Sequence, residues 1–120
     1  MIRPAVELAE VYICTEPVDF RKQINGLAAL VQDALALDPF SAQLFAFTNR
    51  RRDRARILAW ERNGFVPWHK RLERQRFHWP REAGPNATVS FSVQELNWIL
   101  DGLNLSKWQP HAALSYQYVA

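Results

Sequence analysis

Residues 54–72 read RARILAWERNGFVPWHKRL, and the fold turns on how this stretch pairs with itself. Arg54 to Glu61 alternates well enough for a strand, and Phe65 to Leu72 reads as its antiparallel return. Between them Asn63-Gly64 is a hairpin signal, because both residues tolerate the positive φ of a type I′ turn. With these two as the turn, Arg56 faces Arg71, Leu58 faces His69 and Trp60 faces Pro67. That face is basic and aromatic. The other collects Ala55, Ile57, Ala59, Val66, Trp68 and Leu72, with Glu61 and Lys70 as exceptions, and suits a core. One residue resists this register. Pro67 would occupy a hydrogen-bonded ladder site, where its missing N–H is felt, so a bulge or a longer turn is expected to shift the pairing.

Outward from the hairpin, Gln43–Thr48 forms another strand with Phe45 and Phe47 on one side, and Asn49–Asp53 is a loop tipped by three arginines. Glu10–Cys14 reads as a short strand. Asp19 caps a helix in which Phe20, Ile24, Leu27, Val31 and Leu35 recur near the helical period until Pro39; Gly26 within it points to close packing. RFHWP allows a short strand, residues 81–87 a loop, and Thr88–Phe91 a brief strand. Ser92 and Glu95 then have the spacing of a capping box before the apolar stripe Leu96, Ile99, Leu100 and Leu103. The expected fold is α+β, an antiparallel sheet centred on the hairpin and packed with two α-helices. Residues 1–120 form one domain, with a basic hairpin region at 49–81 and a C-terminal helix and tail at 92–120.

The 120 residues suffice for one core and carry a formal charge of +3, which hides an asymmetry. From Arg50 to Arg81, eleven Arg and Lys stand against three acids, a net +8; the rest of the chain carries −5. Such a field favours a polyanion, and nucleic acid leads as partner over an anionic membrane. A solvated, salt-bridged surface is the plain alternative. The longest apolar runs fall well short of the roughly 20 residues of a membrane-spanning helix, and residues 1–14 do not resemble a secretory signal. A cytoplasmic protein without membrane contact is expected. Cys14 is the sole cysteine, which excludes an internal disulfide and multi-cysteine zinc motifs.

Catalysis finds little support. His69 and His78 lack the spacing of a zinc motif, and Asp19, Asp53, Glu61 and Glu73 have simpler uses than holding Mg²⁺ for phosphodiester cleavage. A non-enzyme without cofactor or metal is expected, with a metal-dependent nuclease as a minor alternative. Binding chemistry fits better, since Arg offers a planar donor fork to phosphate or to the guanine edge. The candidate nucleic-acid contacts are Arg50, Arg51 and Arg52 at the loop tip, Arg54, and Arg56, Lys70, Arg71, Arg74 and Arg76 toward backbone phosphates. Trp60 and His69 could stack on an exposed base, or Trp60 could simply cover the sheet edge. Opposed Arg56 and Arg71 disfavour folding unless a counter-charge such as phosphate, or a salt bridge to Glu61 or Glu73, intervenes.

Three stretches, DFRKQINGLAALV, FAFTNRRRDRARILAWERNGF and KRLERQRFHWP, together resemble the TnpB accessory proteins of insertion sequences of the sixty-six type, over roughly Val11 to Pro80. The family is unrelated to the large RNA-guided nucleases that share its name. The matching positions are Asp19, Arg21 and Lys22; Arg50, Arg51 and Asp53; Gly64; and Lys70, Arg71, Leu72, Phe77, Trp79 and Pro80. Phe20 stands where the family often has Met, Arg56 where it has Lys, and Gln75 where it has Gly. The resemblance implies a small bacterial protein encoded beside a transposase, assisting movement and recombination of the mobile element. Its expected partners are DNA, at the element ends or target, together with the transposase and other accessory proteins. An adaptor docking on the transposase without touching DNA is the alternative. Oligomeric state stays open.

Overall fold

A computed structural model describes residues 10–81 and 88–105. Five strands form one sheet: β1 (Glu10–Cys14), β2 (Leu44–Thr48), β3 (Arg54–Glu61), β4 (Gly64–Arg71) and β5 (Thr88–Ser92), in the order β4-β3-β2-β1-β5. Helix α1 (Ile24–Ala29) runs into a π-helical turn at Leu30–Ala34, and α2 (Val93–Leu100) follows β5. The α+β expectation holds, but the sheet is mixed rather than antiparallel, because β1 and β2 pair in parallel across the α1 connection.

The two helices take opposite faces, so the sheet is the middle of three layers. On the α1 side Phe45, Phe47 and Leu58 pack with Leu27 and Val31. On the α2 side Val11, Ile13, Ala46, Ala55 and Ile57 meet Leu96, Ile99 and Leu100. Strand β2 is buried along its whole length, as a central strand covered on both faces must be. The capping box at α2 forms as expected. Ser92 Oγ accepts from the Glu95 N–H at 3.1 Å, and Glu95 Oε1 accepts from the Ser92 N–H at 2.8 Å.

The hairpin register differs from the sequence expectation by two residues. Arg54 lies opposite Arg71, Arg56 opposite His69, Leu58 opposite Pro67 and Trp60 opposite Phe65, with Glu61 and Gly64 closing the turn. A slip of two leaves every side chain on its expected face, which is why the facial assignment survives. The slip also resolves the proline. Counting out from the closing pair, Leu58 and Pro67 fall at a non-hydrogen-bonded site, and β4 is an edge strand, so the missing N–H costs the sheet nothing.

The turn residues are therefore Arg62 and Asn63, and Arg62 carries the positive φ, 56°. Arg62→Gly is expected to raise stability by about 0.5–1 kcal/mol by relieving that conformation. Gly64→Ala should be near neutral, since an added Cβ there meets nothing within 4 Å. Thermal melts of both variants check this; destabilisation by Gly64→Ala with no gain from Arg62→Gly would restore the Asn63-Gly64 turn.

Two further expectations are corrected. The first helix starts at Ile24, not at Asp19, and Gln23 makes no side-chain cap. Asp19 instead folds the segment before it, accepting from the Arg21 N–H at 2.9 Å through its carboxylate and from the Lys22 N–H at 3.0 Å through its carbonyl. The local pull of Asp19 on its neighbours wins over the apolar period. The expected strand in RFHWP is absent too. Phe77 and Trp79 are nonetheless buried core residues, held by hydrogen bonds to Arg52 and Cys14 rather than by a ladder.

Candidate nucleic-acid interface

The site is built where two basic segments meet at one end of the sheet. The Val18 N–H donates to the Thr48 carbonyl at 2.9 Å, which lays residues 17–22 beside the loop that follows β2. Asn49 organises that loop. Its Oδ1 accepts from the Asp53 and Arg54 N–H groups, and its Nδ2 donates to Asp53 Oδ1 at 2.7 Å. This last bond, before all else, holds the Asp53 carboxyl below its usual pKa. Asp53 is thereby a loop former. Arg50, Arg51 and Arg54 then line a cleft of about 540 Å³ whose far wall is Val18, Asp19, Phe20 and Arg21.

A second cleft, of about 600 Å³, continues on the other side of Phe20, between Arg21, Lys22 and Gln23 and the sheet residues Arg56, Pro67 and His69. Arg56 lines only this second cleft, while Phe20 and Arg21 line both; Arg56 also bonds back to the facing segment. Its Nη1 donates to the Lys22 carbonyl at 2.9 Å, and its guanidinium lies 4.5 Å from the centre of the Phe20 ring. Arg56 thus fastens residues 20–22 to β3. Asp19 is gripped by Arg21, at 2.6 Å between Nη2 and Oδ2, which lowers its carboxyl pKa to about 2. The carboxylate of the first cleft is therefore already matched by an arginine.

The opposed like charges are Arg54 and Arg71, since the register removes Arg56 from that pairing. Arg71 also reaches Glu73 at 3.3 Å, but this bridge is more than half exposed at both ends and worth little. His69 sits among these guanidinium groups. Partial desolvation first, then Arg56, Arg54 and Arg71, push its pKa down.

The other expected contacts scatter. Lys70 lies on the α2 face, where its Nζ donates to the Leu100 carbonyl at 2.8 Å and caps the helix C-terminus. Trp60 packs edge-on with Phe40 and Phe65, at 4.9 and 5.0 Å between ring centres, beyond the clefts. Arg52 turns toward Arg76 and Arg81, and Arg74 is exposed and lines neither of the two clefts. Arg21 and Lys22 were missed as contacts, because the apolar period placed them inside a helix. Their place in the DFRKQ motif was the available signal. Among the described residues no three His, Cys, Asp or Glu side chains gather as a metal site.

This architecture defines a class: a small α+β protein whose basic motifs, distant in sequence, converge on a clefted cationic surface. The family described as IS66 Orf2 like protein matches residues 9–110, and the chain belongs to it, which makes it an insertion-sequence accessory protein. Two proteins of Sinorhizobium fredii (strain NBRC 101917 / NGR234) are similar. Uncharacterized protein y4jC is 35% identical over 107 residues, covering 89% of each chain. Uncharacterized protein y4hO is 30% identical over 111 residues, covering 89% of this chain and 95% of its own. No solved structure gives a significant match.

Proposed function

We propose that the protein acts in the cytoplasm as a non-enzymatic DNA-binding subunit of its element's transposition complex, holding backbone phosphates in the clefts on the α1 face. The convergence of Arg21, Lys22, Arg50, Arg51 and Arg54 around clefts whose carboxylate is already paired carries this reading. Exposed cations at a folded, grooved surface suit a polyanion, and arginine forks suit phosphate; Arg21, matched to Asp19, adds less charge than the others. Titration of fluorescent duplex DNA from the element end, with and without the transposase, tests it. Binding to DNA alone at low salt is expected; binding that requires the transposase would favour the adaptor.

The adaptor reading keeps one observation of its own. Phe40 is 53% exposed although it packs on Trp60 and Phe65. An aromatic patch of this kind suits a protein partner. It lies past the basic clefts, so one molecule has room to use both.

The depressed pKa of His69 gives a pH signature. Its folded value lies below the unfolded one, so protonation costs the free protein stability as pH falls through the interval between them. A phosphate among Arg54, Arg56 and Arg71 cancels the repulsion and raises that pKa, so DNA binding takes up a proton. Affinity should therefore strengthen as pH falls from 7.5 to 5.5 and weaken as it rises, by up to about tenfold for a shift of one unit. His69→Gln should flatten the profile. An unchanged profile in that variant would remove His69 from the interface.

A further inference from the structure

Arg52 departs from its neighbours in three independent ways. Its backbone is left-handed, with φ at 60°, a conformation that suits Gly or Asn better than a long side chain. It is pinned there, since the Arg52 N–H donates to the Asn49 carbonyl at 3.1 Å and its carbonyl accepts from the Phe77 N–H at 2.7 Å. Its Nε is buried and, among the described residues, makes no hydrogen bond, although a guanidinium N–H taken from water needs an acceptor. Arg76 and Arg81 add repulsion to the burial that already disfavours its charge. Nothing in the loop calls for arginine at this point: Asn49 and Asp53 fix its shape, and glycine would fit its φ.

The side chain opens on a cleft of about 510 Å³, separate from the two on the α1 face. Arg52, His78 and Arg81 line it together with Phe77, Trp79 and Phe91. Among the described residues that line it there is no carboxylate. One oxyanion seated there would accept from Arg52 and offset its repulsion with Arg76 and Arg81.

We propose that Arg52 and Arg81 form a second oxyanion site, on the opposite side of the 49–53 loop from Arg50 and Arg51, and that its ligand is a phosphate group of a nucleic-acid strand. Phosphate is favoured over carboxylate by the two guanidinium forks, Arg52 and Arg81, and by the aromatic wall, against which a sugar or base attached to the phosphate would pack. The loop then presents arginines to both sides, so a strand passing over this end of the sheet meets Arg50 and Arg51 on one side and Arg52 on the other. The nucleic-acid assignment rests on the DNA-binding reading above; the oxyanion site does not.

The test uses the full chain and inorganic phosphate, at constant ionic strength against chloride. Phosphate is expected to raise the wild-type melting temperature saturably. Arg52→Gly should melt higher than wild type without phosphate, lose the phosphate shift, and bind labelled single-stranded or duplex DNA about tenfold more weakly, as for one lost charge-assisted contact. Arg81→Gln, which leaves the loop untouched, should reduce the phosphate shift even if Arg52→Gly folds poorly. Absence of a saturable effect in wild type, or full retention in both Arg52→Gly and Arg81→Gln, overturns the site. Displacement by poly-glutamate with DNA affinity unchanged in Arg52→Gly overturns the nucleic-acid assignment. A phosphate shift that depends on Arg52 in a protein that binds no DNA upholds the oxyanion site and rejects the DNA-binding reading instead.

Discussion

Replacing Arg54 and Arg71 together by Gln is expected to weaken DNA binding by roughly 2–5 kcal/mol, the scale of two charge-assisted hydrogen bonds to phosphate, while the free protein melts at the same temperature or higher. The two guanidinium groups face each other across β3 and β4, and like charges so placed disfavour the pairing. Glu73 relieves Arg71 only through an exposed bridge. Arg54 also lines the first cleft with Arg50 and Arg51, so a phosphate there meets several donors at once. Anisotropy titrations and thermal melts on the same preparations separate the outcomes. A lower melting temperature with unchanged DNA affinity would make the pair structural and reject its role in binding.

Trp79→Ala is expected to cost about 3–5 kcal/mol, enough to unfold a marginal domain of this size at 37 °C. Trp79 is 4% exposed within the α2-side core, and its Nε1–H donates to the Cys14 carbonyl at 2.9 Å. It is what ties the non-strand segment 76–81 to the end of β1. Trp79→Phe keeps a packed ring but orphans the carbonyl, and about 1–3 kcal/mol should be lost. Urea denaturation of the three proteins orders them. A Trp79→Phe variant as stable as wild type would mean that the hydrogen bond is dispensable.

Strand limits and the capping box were legible in the sequence because they rest on short-range chemistry: alternation in residues 54–61, and the Ser92 and Glu95 spacing. The register was half legible. Pro67 announced that the Asn63-Gly64 turn was wrong, yet the sequence held no sign that Arg62 would accept a positive φ in place of Asn63. The parallel pairing of β1 with β2 was invisible, because it depends on where the chain returns after α1. The family-like positions prove to be of two kinds that no spacing rule separates. Asp53, Lys70, Phe77 and Trp79 build the loop, cap α2 and fill the core, while Arg21, Lys22, Arg50, Arg51 and Arg71 remain at the surface. Only tertiary placement tells a basic residue that caps a helix from one that faces a cleft.

In the proposed DNA-binding role this surface holds several phosphates directly. The decisive measurement is the affinity of the purified protein for element-end duplex DNA across a salt series, without the transposase. Each phosphate neutralised contributes about −0.9 to the slope of log affinity against log salt, so three or more contacts give a slope of about −3 or steeper. The Arg54→Gln and Arg71→Gln double variant should flatten that slope by about 2. A wild-type slope near zero, or no binding even at low salt, would contradict direct DNA binding.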